Sequence, residues 1–261
     1  MTIYRDVSLV GRTAMITGAG GGTGRDMAIV LGSAGANVVI AARRGETAEE
    51  TARLVRDAGG RALPVTTDVS CKEDVDRAVA AAVKAFGGLD IMIHNASHGA
   101  SGWPQDLLEI TDEDWDAQSA VSLDGAFLCA RAVFPHLKKA GEQGRFILLG
   151  SAFGQHGAGH NPIYAGTKAA FRGFTRALAR EWGGFGITVN MVAPSSLTDA
   201  ARVYLDANPQ LRDEYMTGFA LGRMGRPQED IGGAVLAICS TAFGYVTGQT
   251  IMVDGGLYTA M

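Results

Sequence analysis

A short apolar run, Thr13-Ala14-Met15-Ile16-Thr17, passes without a spacer into Gly18-Ala19-Gly20-Gly21-Gly22-Thr23-Gly24, and from there into a helical pattern reaching about Ser33. This junction constrains the chain more than any other feature. A run of apolar and β-branched residues without polar alternation describes a strand buried on both faces, as in a parallel sheet. Glycine has no Cβ, so the turn lets backbone approach a phosphate group closely. The helix that follows aims unpaired N–H groups and the positive end of its dipole at the same point. Taken alone the segment also fits a flexible loop. Its position between a first strand and a first helix favours the anion site.

The same alternation continues along the chain. Further strands are expected at 37–41, 62–66, 89–94, 145–149, 187–192 and 250–253, and helices at 72–86, 112–139 and 164–182. Strand–helix alternation at this spacing predicts an α/β fold: a single-domain, Rossmann-type, doubly wound parallel sheet of about seven strands with helices on both faces. No linker or repeat interrupts residues 1–261, so one dinucleotide-binding and catalytic domain is expected. The stretch 195–227 departs from the pattern, with two Pro, scattered Gly and weak helical periodicity. It is expected to form a substrate lid, with an ordinary surface helix pair as the alternative.

Composition excludes several classes. At 47% hydrophobic residues, disorder does not fit. The net charge is −4 and no run of Lys or Arg exceeds two residues, so the basic footprint of a nucleic-acid surface is missing. Cys71, Cys129 and Cys239 are far apart and fit neither a metal spacing nor a disulfide framework. No metal is expected, and a reduced, cytoplasmic location is. The first twelve residues lack the apolar stretch of a signal peptide. No apolar run approaches the roughly 20 residues that span a bilayer, so no membrane partner is expected.

The end of the second strand narrows the ligand. Dinucleotide folds often place a carboxylate there for the ribose 2′-OH of NAD. This chain reads Ile40-Ala41-Ala42-Arg43-Arg44 instead. Two guanidinium groups suit a 2′-phosphate, which favours NADP(H), with NAD(H) as the alternative. A solvated basic pair opening a helix is the bland reading of the same residues.

Tyr164-Ala165-Gly166-Thr167-Lys168 opens a helical pattern, and i, i+4 spacing puts Tyr164 and Lys168 on one face. A free phenol has a pKa near 10. An adjacent ammonium is expected to lower it, so that Tyr164 exchanges a proton with a carbonyl or alcohol oxygen. Such pairs are common on helix surfaces. Ser151 strengthens the reading because it directly follows the fifth strand, at the carboxyl edge where open α/β sheets bind ligands. A hydroxyl there can hydrogen-bond a substrate oxygen; a turn or cap serine is the alternative.

Together these residues resemble the short-chain dehydrogenase/reductase family. The resemblance rests on the turn 17–24, Asp68-Val69, His94-Asn95-Ala96, Ser151 thirteen positions before Tyr164, and Lys168. Asn190-Met191-Val192-Ala193-Pro194, Thr247-Gly248-Gln249 and Asp254-Gly255-Gly256 extend it over nearly the whole chain. It implies hydride transfer between a nicotinamide cofactor and a carbonyl or secondary alcohol. Tyr164 is then the acid/base and a cofactor contact, Lys168 its partner and a nicotinamide-ribose ligand, and Ser151 the residue orienting the substrate oxygen. Gly18, Gly22, Thr23 and Gly24 would hold the pyrophosphate, Arg43 and Arg44 the 2′-phosphate, and Asp68 and Val69 the adenine. Asn95 would lie near the adenine ribose and Pro194 on the nicotinamide side. The resemblance also implies a homo-oligomer, a tetramer or dimer.

Three positions depart from the family pattern. Val121-Ser122-Leu123-Asp124-Gly125 has Ser122 where an Asn ordinarily supports a water-mediated proton path to the Lys. Ser122 is shorter, though its hydroxyl can hold a water; it completes the catalytic set with Ser151, Tyr164 and Lys168. Ser195 replaces the Gly after Pro194, and His94-Asn95-Ala96-Ser97 replaces Asn-Asn-Ala-Gly. Phe153, Trp103, Tyr204 and Met216 are candidates for an aromatic-tolerant substrate site, with core packing as the alternative. His156 and His160 are candidate hydrogen-bonding residues near it. Arg202, Arg212, Arg223 and Arg226 are candidates for meeting a carrier- or CoA-linked acyl chain. A weakly catalytic nucleotide-binding sensor or partner-binding protein is the reading from a different class.

Overall fold

The computed structural model describes residues 7–99, 101–197, 199–208, 210 and 216–258. Seven parallel strands form one sheet in the order β3-β2-β1-β4-β5-β6-β7. They are β1 (Thr13–Thr17), β2 (Asn37–Ala42), β3 (Arg61–Thr66), β4 (Ile91–His94), β5 (Arg145–Leu149), β6 (Thr188–Pro194) and β7 (Thr250–Val253). Strand order reverses between β1 and β4, which opens a crevice at their carboxyl ends.

Successive side chains of a strand point to opposite faces. Here both faces are covered, which is why the strands read as unbroken apolar runs. Met15, Val39 and Met92 enter a core under α3 (Lys72–Phe86), the helix 125–140 and the helix 162–182. Their neighbours Ile16, Val38, Ile40 and Ile93 enter a second core, under α1 (Gly22–Ser33), α2 (Gly45–Asp57) and the helix 233–239. The edge strand β3 is only half-buried and tolerates Pro64, which has no N–H to donate.

The expected helix 112–139 is three pieces. Thr111 caps α4 (Asp112–Ser119) in a reciprocal pair with Asp114, a π-helical segment occupies Ala120–Asp124, and α5 (Gly125–Ala140) follows. The fourth strand starts at Ile91 and the sixth at Thr188, each inside or past the expected start. After β5 come the short α6 (Phe153–His156) and then α7 (Pro162–Trp182), which has Pro162 at its first position, where a missing N–H costs nothing. In the 195–227 stretch, α8 (Asp199–Ala207) is described, and Leu205, Phe219 and Met224 form a small separate core with Leu197, Met216 and Leu257. The last helix is α9 (Gly233–Cys239).

Candidate active site

The carboxyl ends of β1, β2 and β3 border a cleft of about 240 Å³. Gly18, Gly20, Gly21, Arg43, Arg44, Asp68 and Val69 line it, as do Thr47 and Thr67, which the sequence reading missed. Each glycine has its own reason. Gly18 and Gly22 have φ of +64° and +53°, a region that favours glycine. A Cβ on Gly18 would lie 2.8 Å from Ala96 Cα, and one on Gly24 would lie 2.6 Å from Asn95 Nδ2. A Cβ on Gly21 or Gly22 would meet nothing within 4 Å, so that side of the turn is open. Thr23 is half-buried in the first turn of α1.

The Asn95 side-chain amide donates to the carbonyls of Thr17 (3.0 Å) and Gly18 (3.2 Å), so it braces the turn. Arg25 braces the turn from outside, donating to the Gly20 carbonyl at 2.8 Å and to Thr51 Oγ1 at 3.1 Å. Arg43 and Arg44 are exposed at the cleft wall. Asp68 accepts from the backbone N–H and hydroxyl of Ser70. Pro194 closes β6, opposite Val253.

The chemistry-bearing residues lie where β5, α6 and α7 converge. A Cβ on Gly154 would lie 2.6 Å from the backbone of Lys168 and Ala169. This close approach sets α6 on α7 and turns the Phe153 ring edge-on to Tyr164, 6.1 Å between centroids. Lys168 is buried; its Nζ donates to the Leu149 carbonyl at 2.7 Å and lies 5.5 Å from the Tyr164 ring centroid and 4.7 Å from that of Phe171.

Burial determines both protonation states. It pushes Lys168 down to about 7. It also pushes the Tyr164 phenol up, an effect that a hydrogen bond from Ser151 partly offsets. Burial, rather than Lys168, sets the direction of the Tyr164 shift. The Lys168 ammonium is directed at the Leu149 carbonyl.

Ser122 is buried in the π-helical segment, and its Oγ has no hydrogen-bond partner among the described residues. Its carbonyl accepts from Nε2 of the fully buried His94 at 3.2 Å. Burial pushes His94 down to about 3, with the Lys168 charge as a lesser cause. Trp103 and Tyr164 border one small cavity, with Gln105 and Ile163. His156 stacks on Tyr258 at 4.5 Å, and His160 pairs with Asp106. Met216 packs in the small core beside Leu205. Arg223 and Arg226 both pair with Asp230, while Arg202 is exposed. Arg212 and the side chain of Tyr204 lie outside the described residues. Among the described residues no group of His, Cys, Asp and Glu can hold a metal, all three cysteines are free, and no helix is long and apolar enough to cross a membrane.

Known proteins are similar to this chain over nearly its whole length. The family model described as enoyl-(acyl carrier protein) reductase matches residues 18–258. The chain is 37% identical to the short-chain reductase protein NovJ of Streptomyces niveus, covering 93% of this chain and 92% of that one. It is 36% identical to tetrahydroxynaphthalene reductase of Pyricularia oryzae, covering 97% and 91%. The crystal structure of 3-ketoacyl-(acyl-carrier-protein) reductase from Brucella melitensis, complexed with NADH, superposes with a TM-score of 0.86 at 32% identity, covering 96% and 99%. The chain belongs to the short-chain dehydrogenase/reductase family. It is an oxidoreductase that acts on carbonyl and alcohol groups with a nicotinamide nucleotide.

Proposed function

We propose that this protein is an NADP(H)-dependent carbonyl reductase, and that its substrates are aryl or cyclic ketones. The observation that carries the reading is the placement of Tyr164 beside the buried Lys168, whose Nζ is fixed by the Leu149 carbonyl two residues before Ser151, at the sheet edge that also bears the glycine turn. The turn Gly18–Gly24 and the N-terminus of α1 would hold the pyrophosphate, with Thr23 in that first turn. Arg43 and Arg44 would take the 2′-phosphate, for which no competing carboxylate stands at the end of β2. Asp68 and Val69 would border the adenine and Pro194 the nicotinamide.

The cofactor supplies the hydride. The protein supplies the rest. Ser151 donates a hydrogen bond to the carbonyl oxygen, and Tyr164 transfers its phenolic proton to that oxygen as the carbonyl becomes a secondary alcohol. Lys168, fixed by the Leu149 carbonyl, lies close enough to steady the phenolate left behind and to contact the nicotinamide ribose. The buried hydroxyl of Ser122 would hold the relay water.

The rings of Phe153 and Trp103 beside Tyr164, and the His156–Tyr258 stack, support a planar substrate; so does the likeness to a reductase of hydroxynaphthalenes. The likeness to a ketoacyl carrier reductase supports a second reading, a carrier-linked acyl chain. The ion pairs of Arg223 and Arg226 with Asp230 weigh against it. The protein is read as one domain, with 195–227 as a substrate cover over the site. Exposed Leu107, Leu108, Trp115 and Phe127 support a homo-oligomer, and the free cysteines support a cytoplasmic location. Steady-state NADPH oxidation with a bicyclic aryl ketone and with a 3-oxoacyl thioester tests the reading. Turnover of the aryl ketone is expected. Turnover of the thioester alone transfers the assignment to carrier substrates, and NADPH binding without any turnover favours a sensor.

A further inference from the structure

His94 is the residue that the reaction scheme leaves unused, and its surroundings are unusually complete. The ring is 0% exposed, at the carboxyl end of β4, and both of its nitrogens are engaged. A carbonyl can only accept, so the contact with the Ser122 carbonyl fixes the proton on Nε2. The other nitrogen, Nδ1, lies 3.3 Å from Thr17 Oγ1. That hydroxyl already accepts from the backbone N–H groups of Asn95 (3.1 Å) and Ala96 (3.2 Å). Its lone pairs are taken, so its own proton goes to Nδ1. The network therefore admits the neutral Nε2–H tautomer and offers no acceptor for a second ring proton.

The same ring has a mechanical place. It lies edge-on to Phe171, with centroids 5.9 Å apart and planes at 76°. Phe171 stands one turn beyond Lys168 on α7, and the lysine Nζ lies 4.7 Å from its centroid. A Cβ on Gly125, just after the π-helical segment, would lie 3.2 Å from His94 Cε1, so the backbone closes tightly on the ring. His94 thus touches three things at once: the threonine that shapes the nucleotide turn, the carbonyl of the π-helical segment, and the ring against which Lys168 rests.

We propose that His94 is a positioning residue for the reaction: its neutral ring joins the nucleotide turn to the π-helical segment and holds Phe171 against Lys168, so that the lysine is set in register with the bound nucleotide. This rests on the reading of Tyr164 and Lys168 as the reaction centre. The groups facing Lys168 are Tyr164 and Phe171 from its own helix, His94 from β4 and the Leu149 carbonyl from β5. His94 acts on the lysine through Phe171 and the packing of α5, and it touches no reacting atom.

Two substitutions separate its functions. His94→Phe keeps a ring against Phe171 and removes both hydrogen bonds. His94→Gln offers an amide N–H to the Ser122 carbonyl and an amide oxygen to Thr17. Misplacement of a reacting group by about 1 Å can cost on the order of 100-fold in rate. In the full-length protein, kcat of His94→Phe is expected to fall at least about tenfold while KM and the NADPH dissociation constant move by less than about threefold, and His94→Gln is expected to recover most of the loss. A readout free of turnover accompanies this. In 15N-labelled protein the Lys168 Nζ resonance should shift in His94→Phe and return toward its wild-type position in His94→Gln, and the His94 ring should show the Nε2–H tautomer. A wild type without turnover but with these signals would defeat the assigned reaction and leave the positioning role standing. Unchanged kcat and an unmoved lysine resonance in folded His94→Phe would overturn the proposal. So would an Nδ1–H ring, even if His94→Phe fails to fold.

Discussion

The two halves of the crevice are built from different materials. The half proposed for the nucleotide is made of backbone. Gly18, Gly22 and Gly24 matter for the atoms they lack, and Asn95 and Arg25 are taken up in bracing the turn. Its charged residues, Arg43 and Arg44, stay at the solvent edge. The half proposed for the reaction is made of side chains, with Lys168 buried and Tyr164 and Ser151 half-buried. Tyr164 and Lys168 both have their charged forms disfavoured by burial, in opposite pKa directions. Binding a large anion calls for close approach and exposed N–H groups, whereas moving a proton calls for a dry site and defined protonation. The contrast teaches that damage in the first half should appear in affinity, and damage in the second in rate.

Substitutions can break that division or sharpen it. The largest effect on binding is expected at Gly18→Ala, where a methyl group would meet Ala96 Cα at 2.8 Å and the left-handed φ is also disfavoured. NADPH titration should show a loss of about 100-fold or more, with about 2 kcal/mol or more of stability lost in denaturant unfolding. Retained affinity would mean that the turn has freedom the packing does not reveal. Next comes the cofactor preference. In the double substitution Arg43→Ala/Arg44→Ala, NADPH affinity should fall about tenfold, the scale of one lost charge-assisted hydrogen bond or more, while NADH affinity stays level. Equal losses for both nucleotides would remove the 2′-phosphate argument.

A further effect concerns stability and acid. His94 titrates near 6.5 when unfolded and at about 3 when folded. Between those values the unfolded chain binds more protons, so the stability that His94 contributes is fully present above about pH 6.5 and is lost as pH falls. The loss is roughly 1.4 kcal/mol per pH unit across that window. Urea unfolding at a series of pH values should show a shallower acid slope in His94→Gln than in wild type. Identical slopes would show that the ring is not held neutral.

The difference between the halves also governs how much was legible in the sequence. Strands buried on both faces read clearly, so β1, β5 and β7 lie where the apolar runs predict. Ser151, Tyr164 and Lys168 were legible because spacing on one helix and position after one strand are local properties. The π-helical segment was not. Val121-Ser122-Leu123 keeps an ordinary helical pattern, and only the close packing of Gly125 on Val69 and His94 reflects the altered backbone. The bracing roles of Asn95 and Arg25 depend on partners in other elements, and nothing adjacent in the chain announces them. His94 stood out only as a departure from the family pattern. The i, i+4 spacing of Tyr164 and Lys168 reports proximity and says nothing of burial, which raises the Tyr164 phenol.

The most direct test of the division is Tyr164→Phe, measured for NADPH binding and for turnover of one ketone on the same preparation. NADPH affinity is expected to stay within about twofold of wild type and turnover to fall about 100- to 10,000-fold, the range typical of a lost general acid. Full turnover in Tyr164→Phe would contradict the assignment of Tyr164, and loss of NADPH binding would contradict the separation of the two halves.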